Sequence, residues 1–365
     1  MNTARRRARN KAPVRASLTA AVLMAMAAPA VFAQDCAGGV GQVQCFGAAA
    51  TGVFASAFGD SAVASGNNTS AFGHLSTASG TNGTAMGDGS TASNTNTTAV
   101  GQASLASGSN ATAVGQNARA TATNTTAVGQ NASATFNNSS AFGTNATANG
   151  VSASVFGRNA NAGAYAAAFG ATAAASAYGS SAFGTFATAN QSKSSAFGMS
   201  ALATGAYASA FGAGARATAS GGVAVGQNAN AKNGNAMAMG WRATAGSTGT
   251  LGTSLTGDVA VGAYANATDP NVDSFMSTTT GQPCTPAGCG PSMRKGPSTA
   301  LGYFANARDA SLALGAYSRA WTFATAVGVK SRATAAYSSA VGFQAKAYGM
   351  MSQAIGAYAK VSSSG

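Results

Sequence analysis

A glycine recurs every fourteen residues along most of this chain, usually at the end of a short Ala-Φ-Gly signature in which Φ is one large apolar residue. A short fixed period is typical of a solenoid, because each unit can bury its apolar face only against copies of itself. The repeat therefore predicts one extended rod. The signature glycines are Gly59, Gly73, Gly87, Gly101, Gly115, Gly129, Gly143 and Gly157 and, after one thirteen-residue step, Gly170, Gly184, Gly198, Gly212, Gly226 and Gly240.

Fourteen residues also equal two heptads, so a coiled coil is the first alternative. The composition excludes it, because 48 Gly, no Glu and repeats rich in Ser, Thr and Asn are unfavourable in helices. A second turn signal follows many signature glycines by seven residues, and Gly and Asn accept left-handed backbone conformations. Each coil should run strand, turn, strand, turn, which makes an all-β parallel β-roll. The second turn residues are Gly66, Gly80, Asn94, Gly108, Gly150, Gly205 and Asn233.

Side chains within each predicted strand alternate between two faces. Thr125 and Ala127 are expected to point inward, and Thr126 and Val128 outward. An interior of such small residues gains little at about 25 cal/mol per Å² against the cost of ordering the backbone. The sequence thus predicts a thin roll that depends on partners for stability.

The outward Φ residues should stack into one apolar stripe along the rod. A stripe of that length exceeds the ~300–600 Å² patch of an ordinary monomer, so it predicts an interface between parallel chains closed by cyclic symmetry. The alternative is that the stripe forms the monomer core and that Ala faces solvent. The Φ residues are Phe58, Phe72, Met86, Val100, Val114, Val128, Phe142, Phe156, Phe169, Phe183, Phe197, Phe211, Val225 and Met239.

Four segments divide the chain. Residues 1–33 predict a secretory signal peptide, because arginines precede an apolar run that ends in small residues; a short membrane anchor is the alternative. Repeats fill residues 34–262 and, ending in mid-repeat, 298–365. Residues 263–297 interrupt them as a long insertion, which is either functional or disordered. Its Phe275 and Met276 are candidate ligand anchors.

The four cysteines form two local pairs, Cys36 with Cys45 and Cys284 with Cys289. In an exported chain such pairs predict disulfides that close small loops. Fourteen Lys and Arg remain outside the signal peptide against seven Asp, and they look scattered rather than clustered with aromatic residues. We therefore expect no nucleic-acid partner. Neither cysteine spacing is C-x2-C and His74 lies far away in sequence, so we expect no metal, and we also expect no cofactor.

Catalytic groups are sparse. The single His74 cannot supply a nucleophilic triad, and Asp60 and Asp88 are best interpreted as solvated turn residues. The chain is therefore predicted not to be an enzyme. Two alternatives stay open: an exported polysaccharide-active solenoid, which would need two converging carboxylates, and an ice- or mineral-binding solenoid with a flat array that includes Thr98 and Thr126.

The segments 96–104 and 138–143, Asn-Thr-Thr-Ala-Val-Gly-Gln-Ala-Ser and Asn-Ser-Ser-Ala-Phe-Gly, resemble the head repeats of YadA-like trimeric autotransporter adhesins. The resemblance covers roughly residues 45–360. It implies a left-handed β-roll, a homotrimer, and display on the bacterial surface or outer membrane, or secretion. Its implied ligands are host matrix proteins, glycans or cell-surface receptors.

In that family an Asn-Ser-Val-Ala-Ile-Gly-x-x-Ser motif is associated with collagen binding. The nearest match runs from Asn96 to Ser104, which makes these two residues ligand-binding candidates; Thr97, Thr98 and Val100 replace Ser, Val and Ile. The family also has a neck, a stalk and a membrane anchor, which we do not find in this sequence. We expect either a fragment, or a head that is released or joined to another anchor.

Overall fold

The computed structural model describes residues 41–246, 257–268 and 297–362. Over these residues the chain winds into 21 coils, each with a strand in each of two parallel sheets, and the described part contains no helix. The predicted all-β parallel solenoid is confirmed. Accordingly, no described helix is long and apolar enough to cross a membrane. The predicted signal peptide, residues 1–33, lies outside the described residues.

The first sheet, sheet A, holds the strand that ends on the Φ residue of each coil. Its strands are β1 Val43–Cys45, β3 Ser56–Phe58, β5 Ser70–Phe72, β7 Thr84–Met86, β9 Thr98–Val100, β11 Thr112–Val114, β13 Thr126–Val128, β15 Ser140–Phe142, β17 Ser154–Phe156, β19 Ala167–Phe169, β21 Ser181–Phe183, β23 Ser195–Phe197, β25 Ser209–Phe211, β27 Val223–Val225, β29 Met237–Met239, β31 Val259–Val261, β33 Thr299–Leu301, β35 Leu312–Leu314, β37 Thr325–Val327, β39 Ser339–Val341 and β41 Gln353–Ile355.

The second sheet, sheet B, holds the shorter strand of each coil. Its strands are β2 Ala49–Ala50, β4 Val63–Ala64, β6 Thr77–Ala78, β8 Thr91–Ala92, β10 Leu105–Ala106, β12 Arg119–Ala120, β14 Ser133–Ala134, β16 Thr147–Ala148, β18 Asn161–Ala162, β20 Ala174–Ala175, β22 Thr188–Ala189, β24 Leu202–Ala203, β26 Arg216–Ala217, β28 Asn230–Ala231, β30 Thr244–Ala245, β32 Asn266–Thr268, β34 Asn306–Arg308, β36 Arg319–Ala320, β38 Arg332–Ala333, β40 Lys346–Ala347 and β42 Lys360–Val361.

Consecutive coils pair in register, so each residue lies against its counterpart in the next coil. Thr112 pairs with Thr126 and Val114 with Val128 in sheet A, and the same parallel pairing recurs along the rod. At the usual strand spacing of about 4.8 Å, 21 coils span roughly 100 Å. A residue type repeated at one position of the coil therefore becomes a straight column.

Alanine fills the interior between the two sheets. In the coil around β11, Ala111, Ala113, Ala118 and Ala120 are all fully buried, and only Val155 interrupts the alanines of the sheet A interior with a larger apolar side chain. Ala127 and Thr125 are buried and their neighbours Thr126 and Val128 are not, as the alternation predicts. The close spacing of the sheets restricts the interior to small side chains, because protein interiors are close-packed.

The left-handed turn residues differ from those expected. A residue with positive φ recurs about every seven positions, but it lies two residues after each turn glycine, as at Asn68 and Asn82 (φ 55° and 58°), while Gly66 and Gly80 have no such φ. A Cβ on Gly80 would lie 1.9 Å from the carbonyl oxygen of Asn94. Glycine occurs there because the neighbouring coil is too close, not because of backbone handedness.

The signature glycines are constrained twice. Gly101 has a φ of +123°, and a Cβ built on it would lie 2.6 Å from the carbonyl oxygen of Gly115 in the next coil. Both the backbone conformation and the close approach exclude a side chain. Because Gly115 meets Gly129 in the same way, the signature forms a continuous glycine column.

Coil stacking continues across both breaks in the repeat. Strand β29 pairs directly with β31, and β31 with β33, although residues 247–256 and 269–296 separate them in sequence. Strand β32 lies inside the predicted insertion of 263–297 and pairs with β30 and β34, so the regular coil extends beyond residue 263. Buried Asp258 accepts a hydrogen bond from the backbone N–H of Ser298 at 2.6 Å, which links the residues that precede β31 and β33.

The glycine column yields the first testable prediction. Gly101→Ala should destabilise the fold by roughly 2–4 kcal/mol, because the added Cβ meets backbone and the φ is strained. Gly89→Ala is the matched control: Gly89 has φ +63° with nothing within 4 Å of a Cβ built on it, and Ala103 already adopts φ 53° at the equivalent turn position. Thermal unfolding followed by circular dichroism measures both, and equal melting temperatures would contradict the prediction.

Candidate functional site

The Φ residues form one apolar column on the outer face of sheet A. Six phenylalanine rings, from Phe142 to Phe211, stack face to face with centroids 4.6 to 5.0 Å apart. Phe58 and Phe72 stack in the same way at 5.0 Å. Pairing in register carries the column on through Val261, Leu301 and later coils to Ile355. We call this surface, from Phe58 to Ile355, the Φ column.

None of the fourteen predicted Φ residues is buried in the single chain. Met86 is 46% exposed, Phe156 40% and Phe211 41%. The alternative that the stripe forms the monomer core is therefore wrong, since alanine occupies the interior. A continuous apolar surface about 100 Å long is far larger than the apolar patch of an ordinary monomer.

Polar columns run along the turns on the other edges of the rod. Asn82 donates to Asn96 at 2.9 Å, and Asn96 donates in turn to Asn110 at 3.0 Å. The same amide ladder extends from Asn68 to Asn138. Such a ladder stabilises the stacking of left-handed turns, because each amide is both donor and acceptor.

The two collagen-motif candidates lie in different places. Asn96 is exposed at a turn, although its amide is engaged in the ladder. Ser104 is 1% exposed and faces the interior, where its hydroxyl has no hydrogen-bond partner among the described residues. A ligand on the surface cannot reach the Ser104 side chain, so that candidate is wrong.

The column of residues that follow the signature glycines brings three titratable groups together. His74 Nδ1 donates to Asp88 Oδ1 at 2.8 Å, and His74 Nε2 lies 3.9 Å from Asp60 Oδ2. All three side chains are more than half exposed. The contact of His74 with Asp60 and Asp88 was not predicted, although the spacing of 60, 74 and 88 is one coil per step and would have revealed the group.

This arrangement does not favour hydrolysis. His74 contacts both carboxylates, at 3.9 Å from Asp60 and 2.8 Å from Asp88, and so lies where a glycosidase would need the glycosidic bond. Among the described residues no group of three His, Cys, Asp or Glu could hold a metal ion.

Several predicted site residues lie outside the described part. These are Cys36, Cys284 and Cys289, and the insertion candidates Phe275 and Met276. Cys45 is 2% exposed and disulfide-bonded; its pairing with Cys36 stays a prediction, as does the second disulfide.

The Asp88 contacts give a pH-dependent prediction. The hydrogen bond from His74, followed by that from Gln102, holds the pKa of the Asp88 carboxyl below its ordinary value of 3.8. Because the pKa is lowered in the folded chain, these contacts stabilise it above pH 3.8 and are lost as the pH falls through the lowered pKa. His74→Ala should raise the pKa of Asp88 towards its ordinary value.

Carbon-13 NMR of selectively labelled aspartate measures this shift, since the chain has only seven acidic residues, all Asp. Asp60→Asn is the control, because Asp60 contacts the far nitrogen of His74 at 3.9 Å and its loss should leave the Asp88 pKa low. An Asp88 pKa unchanged in His74→Ala would contradict the assignment.

Comparison with known protein families agrees with this geometry. The family model of the YadA head domain repeat, which spans two copies of the repeat, matches residues 50–76, 78–104, 106–132, 120–146, 134–160, 175–201, 203–229 and 322–345. Together these matches cover about half of the chain, and they fall on the coils that carry the glycine and Φ columns. No match to a curated protein was found. The chain belongs to the family of the YadA head domain repeat.

Proposed function

We propose that this chain is a non-enzymatic adhesin head on the surface of a bacterium, or secreted from it, and that it attaches the cell to host matrix, cells or other surfaces. The observation that carries the proposal is the match of its coils to the YadA head repeat. The rod supports it physically: a stiff solenoid with columns of exposed amides and hydroxyls offers many weak contacts that add through multivalency.

The Φ column supports assembly as a parallel homotrimer. An uncovered phenylalanine stack is costly in water, and a second copy of the same stack is its natural complement because both have one apolar residue per coil. Three chains around an axis would bury all three columns at once. Three is the number that the family resemblance implies.

A double substitution tests the interface. Phe183→Asp with Phe211→Asp should abolish the trimer, since three carboxylates per layer would face one another without partners at a cost of several kcal/mol. Thr188→Asp with Leu202→Asp is the matched control, because these residues point outward from sheet B within the same stretch of the rod. Size-exclusion chromatography with light scattering measures the mass. A trimer that survives the first substitution would place the interface elsewhere.

Adhesion is tested with beads coated with purified heads and presented to matrix proteins, a glycan panel and host cells. Binding to at least one surface is expected. A stable folded monomer that binds none of them would overturn the proposal.

The same assay tests the insertion candidates. Replacing residues 269–296 by a short Gly-Ser linker spares β32 and β33 and should leave the trimer folded while one adhesive activity is lost, because Phe275 and Met276 are the apolar anchors. Adhesion equal to that of intact heads would assign binding to the coils.

The polysaccharide-active alternative receives no support from Asp60 and Asp88, whose carboxylates flank His74. Incubation of the chain with a glycan panel and analysis of released oligosaccharides tests it directly. Release of products would overturn the non-enzymatic assignment.

A further inference from the structure

The last coils carry a column of cations on the outer face of sheet B. Arg319 pairs in register with Arg332, Arg332 with Lys346, and Lys346 with Lys360. Lys330 adds a fifth cation from the adjoining turn, where its φ is 59°. At about 4.8 Å between strands, the four sheet residues place one positive charge per coil over roughly 14 Å.

This density is peculiar to the C-terminal coils. Six Lys and Arg are spread over residues 41–246, and six more lie within the much shorter 297–362. Elsewhere on sheet B the register neighbours of a cation are uncharged, as Leu105 and Ser133 are for Arg119. The expectation of singly scattered cations is therefore wrong for these coils.

The column has no neutralising partner among the described residues. The one acid in 297–362 is Asp309, which is 8% exposed and accepts a hydrogen bond from Thr322. The ion pairs between described residues both involve His74, at the far end of the rod. Like charges stacked one per coil repel one another, so the column is a cost to folding that an anion would relieve.

An aromatic column leads into the cations. Tyr264 stacks on Phe304 with centroids 4.5 Å apart, and Phe304 stacks on Tyr317 at 5.4 Å. Their planes are within 10° of parallel, so each inner ring face is covered by the next ring. Along the stack the column presents ring edges to its surroundings, and these edges carry the positive part of the aromatic quadrupole.

Two adjoining hollows join these columns. The first, of about 440 Å³, is lined by Tyr264, Asn266, Phe304, Asn306, Tyr317 and Arg319. The second, of about 180 Å³, is lined by Tyr317, Arg319, Lys330, Arg332, Gln344 and Lys346. Tyr317 and Arg319 belong to both, so the hollows form one continuous shallow groove along the rod, which we call the basic groove.

We propose that the basic groove binds an anionic polysaccharide, with sulfate or carboxylate groups on the cations of the column and sugar hydroxyls on the amides of Asn306 and Gln344. A polysaccharide fits because it repeats its charges along an extended chain, as the solenoid repeats its cations. The proposal names a ligand class for the adhesin head proposed above. It depends on that function for its biological role, whereas the binding itself is argued from the groove.

Single-stranded nucleic acid also combines charge with aromatic contacts, but it binds by stacking bases on open ring faces. In the basic groove the rings stack on one another at 4.5 and 5.4 Å, which leaves no room for a base between them. Positive ring edges and amide groups favour an anion with many hydroxyls instead.

The test uses the full purified chain and immobilised heparin as the probe. Arg319→Gln with Arg332→Gln and Lys346→Gln should weaken heparin binding roughly tenfold or more, because three exposed charge contacts are lost. The control Arg119→Gln with Arg158→Gln and Arg216→Gln removes the same charge from isolated exposed positions and should change binding less than twofold. Circular dichroism and light scattering confirm that both variants keep the fold and mass of the parent.

A variant of an aromatic residue distinguishes binding in the basic groove from nonspecific electrostatic attraction. Tyr317→Asn removes the ring, and Asn is well tolerated at the left-handed φ of 58°; it should weaken heparin binding several-fold. Phe186→Asn, at the equivalent turn with φ 59°, is the control without effect. Equal loss in the two charge triples, or no loss in either, would overturn the proposal.

Competition identifies the ligand class. Heparin should displace itself, desulfated heparin should compete less well, and neutral dextran not at all. An oligothymidylate that competes better than heparin at equal charge would assign the groove to nucleic acid and overturn the polysaccharide. Heparin binding is measured without cells, so the two proposals can fail separately. Loss of heparin binding with retained bead adhesion would overturn the polysaccharide proposal alone. Heparin binding without adhesion to any surface would overturn the adhesive function.

Discussion

The narrow gap between the two sheets governs everything else in this molecule. Coils stack so closely at the signature glycines that a Cβ on Gly101 would lie 2.6 Å from the next carbonyl oxygen. The interior holds mainly alanine, with serine or threonine at some positions and valine at one. A core of alanine buries little apolar area per residue, so hydrophobic burial inside one chain is weak. Backbone pairing and side-chain ladders hold the coils together, and the larger apolar groups are left outside.

The exclusion of large apolar side chains from the interior explains which residues line the surface of the rod. Because phenylalanine cannot enter the interior, it stacks on itself along sheet A, where six consecutive rings lie 4.6 to 5.0 Å apart. The turns carry the polar columns, such as the amide ladder through Asn96. The faces therefore have separate chemistries: an apolar column on sheet A, amide and carboxylate columns at the turns, and the basic groove on sheet B.

Much of this was predictable from the sequence because a period converts directly into geometry. The inward Thr125 and outward Thr126 followed from alternation alone, and the Φ column followed from the signature. The turn conformation was harder to predict. Glycine can mark either a left-handed backbone or a close approach of the next coil, and only the three-dimensional structure shows that the left-handed residue is Asn82 and that Gly80 marks the close approach. Ser104 was misplaced because a motif borrowed from a family does not say which face its last residue occupies.

The in-register stack has a further consequence for how such a rod changes over generations. Every coil meets its neighbours through the same set of positions, as Thr112 meets Thr126 and Val114 meets Val128. Duplicating or deleting one whole coil would recreate contacts that already exist, and the thirteen-residue coil between Gly157 and Gly170 indicates that even the unit length has some tolerance. The reach of the rod can thus vary by recombination between repeats, in steps of a few ångströms, without any new packing solution.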